Sequence, residues 1–363
     1  MSERVAERIR VAIRERGPIT FDEYLREALY GQGGFYEGTP IGARGHFVTA
    51  PHVHPIFSRL VGSAVEGLWE CLERPLPLRL FEVGAGDGTM GRELVDGFGR
   101  AGIELEYTAV ETSPGARAAL AGVTPRVVER LADAGRADAV IVVANELLDN
   151  LPFRRVRGRG GRVVEIRVGL DGERLVEIEA PCEPGLEPPS LADGEEATVP
   201  TGALAFIEEL AAWMTTGYAL LIDYGSETGP AGEVHAYRDH RVLEDVLDDP
   251  GSADVTAGVD LGALAGRAIS HRLQAFAPVS QSSALVALGL EDWLRAELTR
   301  QGDEVSAVQG AEAVRTWEGR NRARLLADPA GLGGLRWLVL ATSGLPEPGW
   351  LVRARDPRSG PLR

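Results

Sequence analysis

Lysine is absent from this chain of 363 residues, and arginine supplies all 38 of its basic side chains. A Schiff base, a lysine general base and a phosphate-binding P-loop lysine are thereby excluded. Cysteine is scarce as well: Cys71 and Cys182 are too few for a zinc cluster and are expected to be free thiols. No apolar run reaches the roughly 20 residues that cross a bilayer, and the first residues lack the apolar stretch of a signal peptide. We therefore expect a cytoplasmic protein without membrane attachment.

The net charge is strongly negative, because 54 acidic side chains give the chain a formal charge of −16. Such a mean field repels phosphate, so broad binding to nucleic acid or to an anionic membrane is not expected. It would attract a cationic partner such as an arginine-rich segment. Hydrophobic residues make up 44% of the chain and charged residues 25%, as in an ordinary globular protein.

The order of patterns along the chain predicts an α/β fold with a Rossmann-like core. Seven apolar or alternating runs are the expected strands of a seven-stranded, mostly parallel sheet: 78–83, 104–111, 125–130, 138–145, 218–225, 271–276 and 335–341. Between the fourth and fifth runs the pattern alternates at period two, with turns at Gly160-Gly161 and Asp171-Gly172. This stretch predicts an inserted antiparallel β meander.

The same patterns suggest a division of the chain into four parts. Residues 1–75 form an N-terminal extension of helices and a glycine-rich loop, and residues 76–150 with 206–345 form the core. The meander and a linker occupy 151–205, and 346–363 form a tail. In the extension, 3–16 and 19–30 have helical spacing and a helix is expected from about Phe57 to Leu72.

A glycine loop follows the first predicted strand, in the run Glu82-Val83-Gly84-Ala85-Gly86-Asp87-Gly88. Glycines let a backbone turn tightly and approach a ligand closely, and the next helix offers free N–H groups to a carboxylate or phosphate. The spacing is GxGxG with a preceding acid, whereas dinucleotide sites hold a pyrophosphate with GxGxxG. S-adenosylmethionine carries an ammonium, a carboxylate and a sulfonium but no phosphate, so an acid beside the loop favours it. A nicotinamide dinucleotide is the alternative.

Acidic and amide side chains follow two more of the predicted strands. Glu111 ends the second strand, where a carboxylate accepts the hydroxyls of a cofactor ribose. Asn145, Glu146 and Asp149 follow the fourth strand. Because ligands of open α/β sheets lie beyond the carboxyl ends of the strands, we expect Asn145 beside the methyl donor and the two acids close to the acceptor.

Several of these runs together resemble one known family, that of mitochondrial dysfunction protein A, whose mitochondrial members are protein arginine methyltransferases that assist assembly of respiratory complex I. The resemblance extends over nearly the whole chain. It rests on six motifs in the same order: FDEYLREALY, GFYEGTPIGARGHFVTAP, FEVGAGDG, VANELLDNLPFR, LIDYG and PGSADVTAGVDL. It implies a class I methyltransferase fold, S-adenosylmethionine as cofactor and arginine as acceptor.

The resemblance also implies roles for individual residues. It places cofactor contacts at Gly84, Gly86, Gly88 and Glu111, and Glu82 is expected beside them. It points to a functional role for Thr49, Pro51, Asn145, Glu146, Asp149, Asp223, Tyr224 and Asp254. Since carboxylates hold a guanidinium through paired, charge-assisted hydrogen bonds, we expect Glu146 to orient the acceptor, with Asp149 or Asp223 as the second acid.

Three histidines complete the predicted site. His46 and His52 stand where the family usually carries an Asp and a Glu, so the acceptor loop differs from the family pattern. His240 lies in AYRDHR, near a histidine of the family, and is a further catalytic candidate. His46, His52 and His54 have no cysteine or carboxylate cluster beside them in the sequence, and no metal is predicted.

The sequence leaves several functions open. The leading prediction is a methyltransferase acting on an arginine of a protein. A small-molecule O- or N-methyltransferase is the second, because an imidazole is a suitable base for a hydroxyl. A cofactor-binding assembly factor with weak catalysis is the third, and a nicotinamide oxidoreductase is the last.

Overall fold

The structure is a computed structural model that describes residues 2–38, 49–186, 188–227, 234–238, 241–305 and 311–356. Within them the strands, in chain order, are β1 (Leu78–Val83), β2 (Leu105–Val110), β3 (Val127–Val128), β4 (Val140–Asn145), β5 (Arg154–Arg159), β6 (Arg162–Asp171), β7 (Arg174–Pro181), β8 (Glu196–Val199), β9 (Gly217–Asp223), β10 (Gly225–Ser226), β11 (Val234–Arg238), β12 (Arg241–Val242), β13 (Asp254–Ala257), β14 (Val259–Asp260), β15 (Leu273–Ala275), β16 (Val279–Ser280) and β17 (Arg336–Thr342).

The helices run between these strands and ahead of them. They are α1 (Ser2–Arg16), α2 (Phe21–Leu25), α3 (Phe35–Gly38), α4 (Ala50–Val53), α5 (Ile56–Cys71), α6 (Thr89–Arg100), α7 (Pro114–Leu120), α8 (Thr201–Trp213), α9 (Leu261–Ser270), α10 (Gln281–Ala287), α11 (Leu290–Val305), α12 (Ala311–Leu325) and α13 (Gly349–Ala354). No helix in the described ranges is both long and apolar enough to cross a membrane.

The central sheet has the strand order β15-β17-β9-β4-β1-β2-β3. Neighbours from β9 to β3 pair in parallel, and β17 runs antiparallel between β9 and β15. The predicted seven-stranded α/β core is therefore confirmed, strand for strand. An eighth strand, β16, pairs with β17 and was not predicted, because two residues carry no readable period.

Burial explains why the core strands form from continuous apolar runs. Residues 140–144 of β4 are buried, as are all seven residues of β9. Side chains on one face of the sheet pack against α5 and α6, and those on the other face pack against α8 and α9. A strand covered on both faces needs apolar side chains at every position, not at alternate ones.

The meander between β4 and β9 is a separate antiparallel sheet of order β7-β6-β5-β8. Its hairpin turns fall at 160–161 and 172–173, between β5 and β6 and between β6 and β7. The inserted meander is thus confirmed, with β8 as an additional strand on its edge.

The N-terminal extension packs against the meander and against a second insertion, which follows β9 and contains β10 to β14. Side chains of α1, α2 and α3 share one apolar cluster with residues of β6 and of the small sheet β12-β11-β13. The predicted helical stretch 19–30 is α2 followed by a π-helical turn, Arg26–Tyr30. This packing brings α3 to the carboxyl end of the central sheet, where the site lies.

Candidate active site

A cavity of about 550 Å³ lies at the carboxyl ends of β1 and β4. The glycine loop after β1 and the turn after β4 form its floor. Its other walls come from α3, from residues 49–52, and from β11 and β13. The cavity therefore lies at the strand ends where the sequence predicts the cofactor and acceptor.

The glycine loop adopts the conformation for which its glycines are needed. Gly84, Gly86 and Gly88 have φ angles of +72°, +55° and +76°, a region that strains other residues. A Cβ at Gly88 would lie 2.8 Å from Cγ2 of Val123, and one at Gly84 would lie 3.0 Å from Cδ1 of Leu147. Packing against the protein itself thus excludes side chains at Gly84 and Gly88, and Gly84 and Gly86 line the cavity.

Two buried glutamates support the loop. Glu82 lines the cavity and accepts a hydrogen bond of 2.6 Å from the Tyr107 hydroxyl, and burial raises its pKa to about 8. Glu111 accepts the N–H of Gly86 at 2.9 Å on Oε2 and that of Ser113 at 2.8 Å on Oε1. Glu111 therefore fixes the loop from behind. Its contact with a cofactor ribose stays a prediction.

The raised pKa of Glu82 predicts a pH-dependent stability. The folded protein keeps a proton that the unfolded chain releases above its ordinary pKa of 4.5, so the free energy of unfolding falls as pH rises from about 4.5 to about 8. Glu82→Gln keeps an acceptor for Tyr107 and cannot ionise. We expect the variant to be more stable than wild type by on the order of 4 kcal/mol above pH 8 and similar to it near pH 4.5. Urea unfolding at both pH values measures this, and an equal difference at both would contradict it.

The turn after β4 carries the acid expected to orient the acceptor. Glu146 has a φ of +50°, strained for a non-glycine residue, and burial raises its pKa. Its Oε1 accepts the N–H of Ala50 at 3.0 Å and Nδ2 of Asn145 at 3.1 Å. Among the described residues, no donor contacts Oε2 of Glu146, and Oδ1 of Asn145 is buried without a partner. Both oxygens are available to a ligand that donates hydrogen bonds.

Two aspartates meet behind this turn. Asp223 accepts three backbone N–H groups, from Leu148 at 2.6 Å, Tyr224 at 2.8 Å and Asp149 at 3.3 Å. Burial raises the pKa of Asp223 to about 7. The pKa of Asp149 lies well above its ordinary value because the group is buried beside other carboxylates, Asp223 first. Asp149 lines the cavity, whereas Asp223 does not. Asp149 is therefore the better placed of the two to contact an acceptor.

Several residues that line the cavity were not predicted from the sequence, among them Tyr36 and Asn150. Tyr36 of α3 lies in the glycine-rich stretch, and its hydroxyl is 2.6 Å from Oδ1 of Asn150 and 2.8 Å from Oδ1 of Asp254. Asp254 is buried, which raises its pKa to about 7. Only the position of Tyr36 within a run resembling the family could have drawn attention to it.

Residues 49–52 contact both the glycine loop and the turn after β4. Thr49, Pro51 and His52 line the cavity. Nδ1 of His52 is 2.8 Å from the Thr49 hydroxyl, and Nε2 is 3.0 Å from Oδ2 of Asp87 in the glycine loop. His54 turns away and contacts the ring of Trp293. The described residues contain no cluster that could hold a metal.

Two predicted site residues, His46 and His240, lie outside the described residues. The others gather around one cavity: Gly84, Gly86, Asn145, Glu146, Asp149, Thr49, Pro51, His52 and Glu82 line it, and Gly88, Glu111 and Asp223 support it from behind.

These residues fit S-adenosylmethionine. The glycine loop lines the cavity through Gly84 and Gly86, and the unpartnered oxygen of Asn145 can accept from an ammonium. No arginine in the described ranges forms an ion pair with Glu82, Glu146 or Asp149. A cationic ligand could therefore pair with these acids without displacing such an arginine. A pyrophosphate would meet these acids at a charge cost.

Comparison with known proteins gives the same cofactor. The model of a family described as "Putative S-adenosyl-L-methionine-dependent methyltransferase" matches residues 60–279, more than half of the chain. A solved structure from Burkholderia thailandensis, described as a "likely methyl transferase" and bound to S-adenosyl-homocysteine, superposes with a TM-score of 0.80 at 25% identity, covering 95% of this chain and 93% of that one.

Two named relatives are similar to this chain over most of its length. The mitochondrial protein arginine methyltransferase NDUFAF7 of Rattus norvegicus is 28% identical over 331 residues, covering 80% of this chain and 75% of the relative. Its Drosophila melanogaster homologue is 28% identical over 302 residues, covering 70% of this chain and 68% of the relative.

Proposed function

Because this chain belongs to that family of S-adenosylmethionine-dependent methyltransferases, we propose that it methylates the guanidinium group of an arginine in a protein substrate. The observation that carries the proposal is a cluster of four acids at or directly beside the cavity: Asp223 and Asp254 are buried, and Glu146 and Asp149 are half-buried. No arginine among the described residues pairs with any of them. Buried carboxylates without a partner cation are costly, and an incoming guanidinium would supply that cation.

The named relatives support an arginine acceptor. Those from the rat and the fruit fly are called protein arginine methyltransferases. Both ring nitrogens of His52 are engaged, by Thr49 and Asp87, so this histidine gives no support to a hydroxyl acceptor that needs a free imidazole base.

In the proposed reaction the cofactor supplies an electrophilic methyl group on its sulfonium sulfur. Glu146 would orient the guanidinium through Oε2, since Oε1 is held by Ala50 and Asn145. Asp149 would hold a second nitrogen, and the backbone amides that fix Asp223 keep these neighbouring carboxyls in place. The strained φ of Glu146 is consistent with a side chain held for function.

The proposal is tested by methyl transfer from radiolabelled S-adenosylmethionine to a set of arginine-rich peptides. Each peptide is paired with a copy in which every arginine is replaced by lysine. We expect incorporation into arginine peptides alone, because planar paired hydrogen bonds to two carboxylates suit a guanidinium and not an ammonium. Equal labelling of the lysine copies, or labelling only of small hydroxyl compounds, would reject an arginine acceptor while leaving the methyltransferase assignment in place.

A further inference from the structure

A chain of four polar side chains crosses the acceptor side of the cavity. Nδ2 of Asn150 donates to Oδ1 of Asp149 over 2.8 Å. The Tyr36 hydroxyl lies 2.6 Å from Oδ1 of Asn150 and 2.8 Å from Oδ1 of Asp254. All four side chains line the cavity, and they come from α3, from the turn after β4 and from β13.

This chain needs one more hydrogen than its neutral groups provide. It has three contacts, and each requires one hydrogen. The tyrosine hydroxyl has one hydrogen, and the Asn150 amide donates on one side only, because its other side is a carbonyl oxygen. With Nδ2 towards Asp149 and the tyrosine donating to Asn150, the hydrogen between Tyr36 and Asp254 must come from a protonated Asp254.

The count does not depend on how the amide is turned. If Nδ2 faced Tyr36, the hydroxyl would donate to Asp254. Oδ1 of Asn150 would then face Asp149, which would have to carry the hydrogen. In both arrangements one of the two end carboxyls is protonated, and the middle residues determine which.

Resting on the proposed function, we propose that Asp149, Asn150, Tyr36 and Asp254 form a proton-storing chain. The chain gives up its proton when the cationic guanidinium enters, and it takes back the proton that the guanidinium loses on methylation. Tyr36 and Asn150 are positioning residues here, and the two aspartates are the proton carriers.

The surroundings favour a stored proton while the cavity holds no cation. Asp254 lies on β13. Tyr36 of α3 contacts its carboxyl group, and Tyr237 of β11 is its partner across the strand pair. Burial raises the pKa of Asp254 to about 7. Burial is the largest cause of the raised pKa of Asp149. The neighbouring carboxyl groups of Asp223, Asp254 and Glu146 raise that pKa further. Tyr30 of the π-helical turn is 37% exposed, and its pKa is raised by desolvation first and then by Asp254 and Asp149.

The proton balance of each step is simple. On binding, a carboxyl O–H bond breaks, the proton leaves to solvent, and the carboxylate pairs with the guanidinium. On transfer, a guanidinium nitrogen gains a bond to carbon, the sulfur–carbon bond breaks with its electrons left on sulfur, and one N–H proton passes to the carboxylate. The product thus faces a neutral carboxyl again, which weakens its pairing and favours release.

The first test is titration calorimetry of an arginine-rich peptide into the protein loaded with S-adenosylhomocysteine, in buffers of different ionisation enthalpy at pH 6.5. Wild type should release about one proton per peptide bound. Below pH 7, its affinity for the peptide should therefore increase by up to about tenfold for each unit by which the pH is raised. In Asp254→Asn the amide supplies the missing hydrogen permanently. We therefore expect this variant to release about one proton fewer than wild type for each peptide bound. Asp292→Asn on α11, 81% exposed, is the matched control and should behave as wild type.

The second test needs no acceptor. Infrared spectroscopy of the unliganded protein at pH 6 detects protonated carboxyl groups, and Asp254→Asn should lose one such band that Asp292→Asn keeps. Binding of S-adenosylhomocysteine within about twofold of wild type would show that Asp254→Asn is folded.

The outcomes separate the two proposals. An unchanged band in Asp254→Asn, or peptide binding with equal proton release in wild type and Asp254→Asn, overturns the proton-storing chain and leaves an arginine acceptor in place. A lost band with no binding of any arginine peptide rejects the arginine acceptor, and the role of the chain in its methylation is rejected with it.

Discussion

Glu146→Gln should strongly reduce methyl transfer to an arginine peptide while S-adenosylhomocysteine still binds. Oε1 of Glu146 accepts two N–H groups, from Ala50 and Asn145, so the glutamine oxygen will take that position. Its NH2 group then replaces Oε2, where a donor meets the guanidinium instead of a carboxylate oxygen. We expect kcat/KM to fall by about 10³-fold, or about 4 kcal/mol of transition-state stabilisation.

Radiolabel transfer and calorimetry measure the two effects of this substitution separately. Glu66→Gln, the same change on the exposed side of α5, is the control and should retain full activity. Loss of cofactor affinity together with activity would show that Glu146 contacts the cofactor side of the cavity. Turnover unchanged from wild type would remove Glu146 from the acceptor site altogether.

Gly86→Val should weaken S-adenosylhomocysteine binding by at least about 100-fold. Gly86 lines the cavity, has a φ of +55°, and donates its N–H to Glu111. A β-branched residue is strained by roughly 1–2 kcal/mol or more at such a φ, and the strain falls on a loop that lines the cavity. Calorimetric titration with S-adenosylhomocysteine measures the loss.

Gly102→Val separates the cofactor effect from backbone strain. Gly102 follows α6 with a φ of +69°, and a Cβ there would meet no atom within 4 Å. The variant should lose a similar amount of stability and bind the cofactor as wild type does. If both variants lost binding equally, the effect of Gly86→Val would be one of folding and not of the site.

The strands could be predicted because each is encoded by its own run of residues. The continuous apolar sequence of β4 and β9 predicts strands buried on both faces, and that is where they lie. The π-helical turn after α2 was missed, since one more residue per turn leaves the apolar spacing almost unchanged. The two-residue strand β16 was missed because its pairing with β17 is decided by tertiary contact.

The site was predictable wherever a residue follows a recognisable strand. The glycine loop and the polar residues from Asn145 to Asp149 belong to this group, and their shared edge of the sheet follows from the parallel order. Tyr36 does not, because it lies in an irregular stretch 114 residues from Asn150 and 218 from Asp254. No local pattern states which strand ends such a segment will reach.

The sequence by itself determined the α/β core, the inserted meander and the glycine loop, because each depends on residue order within a short window. It predicted the cofactor through the order of several motifs along the chain, and the family match confirms that prediction. Tertiary structure alone decided how the acids behave. Glu146, Asp149 and Asp254 are ordinary carboxyl groups in the sequence, and burial next to one another raises their pKa values. Packing of α3 against the second insertion then brings Tyr36 between Asn150 and Asp254, since only long-range burial of apolar surface can join segments so far apart in the chain.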